Sequence, residues 1–90
     1  MRIMIDEPDG RISGILIGDI VGASYDKYVR FKDLHGKTGQ ETIPMLEKAI
    51  GNIKTNGEDG QTLLAERMLS ILATLLEMAR KNPEGKWKVS

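Results

Sequence analysis

Five groups of side chains in this 90-residue chain have the chemistry to act on something. Asp6, Glu7 and Asp9 crowd three carboxylates into four positions, which would attract a hard cation. Their spacing matches no calcium loop, and Pro8-Asp9-Gly10 already accounts for them as the tip of a turn, so no metal is assigned. His35 is the sole histidine, and without a cysteine or a second imidazole it makes a poor ligand set. Ser13, Ser24 and Ser70 offer hydroxyls, but none sits in a nucleophile elbow or has a base placed for it by the sequence, so no catalytic residue is assigned.

Two groups suit binding better than catalysis. Gly36-Lys37-Thr38-Gly39 places a lysine and small-residue amides just ahead of a helix, where free N–H groups and the helix dipole could hold an anion such as a phosphate. Tyr28, Arg30 and Lys32 alternate along one face of a strand-like stretch, the arrangement of one stacking ring and two cations that single-stranded nucleic acid would use. Asp26 and Asp33 flank that stripe and oppose it. Trp87, between Lys86 and Lys88, is expected to fold back on a helix end, with residues 83–90 otherwise a candidate flexible tail of a single domain.

The elements that must position these groups read as strands first and helices second. Residues 2–6 and 11–17 flank the Glu7-Pro8-Asp9-Gly10 turn and predict a hairpin. Gly18-Asp19 before Ile20-Val21 suggests a second hairpin, and the stretch ending at Leu34 alternates Val29 and Phe31 against its polar neighbours, a half-buried strand. From residue 42 the period becomes helical, with Ile43, Leu46, Ile50 and Ile53 on one side. Thr38 and Glu41 have capping-box spacing, but Thr42 as N-cap keeps Pro44 in the first turn, which favours a helix over 42–55. A second helix is predicted over 60–81, capped by Asp59 and stopped at Asn82-Pro83, with Glu77 able to pair with Arg80 or Lys81. The expected fold is therefore α+β, a three- or four-stranded antiparallel meander over residues 2–34 followed by two helices.

Composition narrows the function. Thirteen basic and thirteen acidic side chains cancel, six of each sign over residues 1–40 and seven of each over 41–90, so the chain has neither a basic arm nor an acidic tail. The absence of cysteine excludes disulfides and thiolate metal sites. The acidic residues near the N-terminus do not suit a secretory signal, which points to the cytoplasm. Residues 63–79 are the most hydrophobic stretch, yet they hold Glu66, Arg67 and Glu77, each costing about 2.5 kcal/mol or more at a bilayer centre. No membrane partner and no cofactor are expected.

Both faces of the 11–17 strand are apolar, Ile12 and Leu16 on one and Ile15 and Ile17 on the other. Ala65, Met68, Leu72, Leu75 and Ala79 form a seam at spacings of three and four that either the first helix or a second subunit could meet. These patterns predict a non-enzymatic homo-oligomer, a regulatory or inhibitory module that binds a protein or a small anionic ligand, with Ile15, Ile17, Met68, Leu72, Leu75 and Ala79 at the subunit interface. The alternative is a nucleic-acid-binding regulator using Tyr28, Arg30 and Lys32.

A third class comes from a resemblance. Gly14-Ile15-Leu16-Ile17-Gly18-Asp19-Ile20-Val21-Gly22-Ala23-Ser24 resembles the opening motif of ADP-ribosylglycohydrolases, a glycine-rich helix in an all-α, metal-dependent enzyme. That resemblance implies a helix over residues 12–23. It covers about a dozen residues; Glu58-Asp59-Gly60-Gln61-Thr62 departs from the family's metal motif, and no catalytic residue carries over.

Overall fold

In a computed structural model the described residues are 1–18, 28–55 and 63–90. They form an α+β arrangement of a three-stranded antiparallel sheet and two helices. Strand β1 (Arg2–Asp6) and strand β2 (Ile12–Leu16) pair in the register Arg2↔Leu16 to Asp6↔Ile12. The hairpin between them is the predicted one. Gly10 takes a φ of +88°, the left-handed geometry that a side chain resists, and the Arg11 N–H donates to Asp9 Oδ1 at 3.0 Å to brace the turn. Residues 12–16 are thus a strand and not the helix that the glycohydrolase likeness implies. The second hairpin falls on residues 19–27, outside the described residues.

The third strand differs from the expected meander. Residues 31–34 do not continue a strand; Phe31–Leu34 is a single 3-10 turn. Phe31 and Leu34 lie three apart, the repeat of that helix, so one tight turn sends both into the core while Val29 enters from the extended residues before it. The place beside β1 is taken by β3 (Trp87–Val89), which gives the sheet order β2-β1-β3. Residues 83–90 are accordingly not a flexible tail, since Trp87 is fully buried.

Helix α1 (Gly39–Thr55) begins three residues before the expected start. Thr38 and Glu41 form the capping box: the Thr38 N–H donates to Glu41 Oε1 and the Glu41 N–H to Thr38 Oγ1, each at 3.3 Å. Pro44 therefore sits inside the helix. The early start is compensated on the opposite side of the turn, where the Gly39 N–H donates to the Gly85 carbonyl at 2.8 Å and the Gln40 N–H to that of Pro83 at 2.9 Å. Gly39 has to be glycine, because a Cβ there would collide with the Asn82 and Ala79 carbonyl oxygens.

Thr42, released from capping, is buried and bonded twice. Its hydroxyl donates to the Gly39 carbonyl at 2.8 Å and accepts from Trp87 Nε1 at 2.8 Å. Trp87 thus folds back on the start of α1, as the sequence suggests.

Helix α2 (Leu63–Lys81) packs along α1. Its seam of Ala65, Met68, Leu72, Leu75 and Ala79 is fully buried in one core with Leu46, Ala49 and Ile53 of α1 and Ile3 and Ile5 of β1. The seam is therefore met within the chain. Outside the core, Glu77 pairs with Lys81 at 3.1 Å and Arg80 with Glu47 of α1 at 3.0 Å. Both pairs are exposed, so they contribute little.

Candidate functional site

The groups with chemical potential are not gathered into one place. Ser13 Oγ donates to Glu7 Oε1 at 2.8 Å, Lys88 pairs with Asp6 Oδ1 at 3.7 Å, and Arg11 pairs with Asp9 Oδ2 at 3.4 Å, so all three clustered carboxylates already have partners in the fold. Among the described residues no group of three or more potential ligands could hold a metal ion. His35 lines an open groove of about 610 Å³ with Met1, Lys32, Val89 and Ser90, but its Nδ1 accepts the Val89 N–H at 3.1 Å and serves to hold β3.

The glycine-lysine loop does not keep its amides free for an anion. The Gly36 N–H donates to the Trp87 carbonyl at 2.9 Å and that of Lys37 to the Leu34 carbonyl at 3.0 Å. Those of Thr38 and Gly39 go to Glu41 Oε1 and to the Gly85 carbonyl. A carboxylate already fills the N-terminal end of α1, so Gly36, Lys37, Thr38 and Gly39 act as a structural joint. The strand that would align Tyr28, Arg30 and Lys32 is absent: Tyr28 packs partly against the core, and Lys32 belongs to the 3-10 turn. Arg30 and Lys32 are exposed, but no regular stripe joins them.

The residues expected at a subunit interface are placed differently. Met68, Leu72, Leu75 and Ala79 have no exposed surface, and Ile17 almost none, so they form the core of a single chain. Ile15 is partly buried on the inner face of the sheet. Of the six, Ile15 alone keeps appreciable exposed surface.

What the fold does leave open is the other face of the hairpin. Side chains alternate across a strand, and directly paired residues share a face. Ile3, Ile5, Ile15 and Trp87 point inward, so Arg2, Met4, Asp6, Ile12, Gly14, Leu16 and Lys88 point outward. Ile12 is 56% exposed and Leu16 75% exposed. They stand at either end of β2 with Gly14 between them, and Met4 lies across from Gly14 in the register. A Cβ on Gly14 would stand 2.9 Å from Met4 Cγ, so the glycine makes room for the methionine to lie over the hairpin. Arg2 and Asp6 frame this strip at its two ends, opposite Leu16 and Ile12 respectively.

Sequence reasoning found Ile12 and Leu16 as a second apolar face but passed over Met4 and Arg2 and read Asp6 only as part of the acidic turn. The signal for Met4 was its position between Ile3 and Ile5, two inward residues that turn it outward. No helix among the described residues is long and apolar enough to cross a membrane. Comparison with known proteins supplies no relative: no family model, no curated protein and no solved structure matches the chain.

Proposed function

We propose that this chain is a non-enzymatic interaction module that associates with a second copy of itself through the outer face of its hairpin, in the manner of small regulatory or inhibitory domains. One observation carries the reading: Ile12 and Leu16, large apolar side chains of one strand, stay exposed on one face while a complete core forms on the other. A sheet face turned to water normally carries polar residues, and an apolar strip framed by charges marks a contact surface. Because each chain already closes a core of its own, the association is expected to be non-obligate. A closed symmetric pair is the commonest way to cover such a surface.

Light scattering and native mass spectrometry at micromolar concentration should give a mass of two chains. Replacing Ile12 and Leu16 together with threonine should reduce it to one while the far-ultraviolet spectrum stays unchanged, because both side chains lie outside the core. A wild-type chain that remains a monomer throughout the micromolar range overturns the proposal.

A further inference from the structure

We infer that the two copies meet face to face with their β1 strands antiparallel, about a two-fold axis that lies between the sheets and runs perpendicular to the strands. The inference rests on the self-association proposed above and adds its geometry. Two arrangements of packed sheets keep two-fold symmetry with the two β1 strands aligned, as face-to-face sheets commonly are. With the axis along the strands, each residue of β1 faces its own counterpart, so Arg2 meets Arg2 and Asp6 meets Asp6. That axis also exchanges the two sides of the sheet, and because β1 lies in the middle, β2 then covers β3 of the other copy. Ile12 and Leu16 would be laid against the side that carries Lys88.

With the axis across the strands both mismatches disappear. Each β2 covers the other β2, Leu16 of one copy meets Ile12 of the second, and the two Gly14 positions come together near the axis. Arg2 of each copy faces Asp6 of the other, twice by symmetry. Asp6 already has Lys88 at 3.7 Å, but a carboxylate accepts from two cations, and no ion pair engages the Arg2 side chain among the described residues. Apolar residues and charges thus select the same axis independently. Like charges facing each other would oppose the alternative.

The chain has no cysteine, so single thiols can be placed without background. Arg2→Cys and Asp6→Cys variants, each alone and then mixed, are treated with a short bismaleimide. Positions 2 and 6 are separated by about 13 Å along the strand, and packed sheets lie about 10 Å apart, so only facing positions are bridged. The mixture should give a crosslinked pair and neither variant alone should, while the mixed pair still keeps one Arg2–Asp6 contact. Crosslinking of Arg2→Cys alone would establish the parallel arrangement and overturn the inference. A mixture that stays uncrosslinked while the wild type weighs two chains also overturns it, since edge-to-edge pairing through β2 leaves these positions apart. A wild type of one chain instead removes the reading beneath it.

Discussion

Thr42 has two local meanings and one actual role. Its position before Pro44 reads as a helix cap, yet the hydroxyl instead accepts the indole N–H of Trp87, the single tryptophan, from 45 residues away. Local spacing carries no trace of that contact, because a hydrogen bond between distant residues leaves no period in the sequence. Thr42→Val keeps the shape but leaves the Trp87 N–H buried without an acceptor, and it also removes the bond to the Gly39 carbonyl. The loss should be about 1–3 kcal/mol, read as a lower urea midpoint with an unchanged slope. The same limit applied to the candidate site: Ile12 and Leu16 were legible from alternation alone, whereas Arg2 and Asp6 gained meaning only when the register set them beside those residues.

At the scale of elements, the hairpin and both helices follow from turn chemistry and period, and the errors lie where two local rules competed. The capping box of Thr38 and Glu41 prevailed over the rule that keeps proline near a helix start, because the Gly85 and Pro83 carbonyls accept from the Gly39 and Gln40 N–H groups and reward the longer helix. Pro44 remains a cost, since it cannot donate to the carbonyl four residues back. Pro44→Ala should therefore raise stability by a part of the ~3 kcal/mol that proline costs inside a helix, measured as a higher denaturation midpoint. A fall in stability would show that the ring makes contacts that outweigh the missing bond. The stretch from Tyr28 to Leu34 failed for a related reason: alternation and a three-residue repeat both fit its apolar residues, and the free place beside β1 that would have favoured a strand was filled from the far end of the chain.

For the molecule as a whole, the last eight residues matter as much as any helix. They supply β3, bury Trp87 against α1 and accept the first amide groups of that helix. Truncation after Asn82 should therefore abolish cooperative unfolding and not merely shorten the chain, a result visible by calorimetry or circular dichroism. The sequence hid this because Trp87, Lys88 and Val89, three residues between Lys86 and Ser90, are too few for any period to register. The Arg2 N–H donates to the Ser90 carbonyl at 2.8 Å, and the Ser90 N–H returns the bond to the Arg2 carbonyl at 2.9 Å. In topological terms the fold is a ring opened at one point. A loop of a few residues would close the circle, the Pro8-Asp9-Gly10 bend would serve as a new opening, and the order in which the segments are written could change with the architecture left intact.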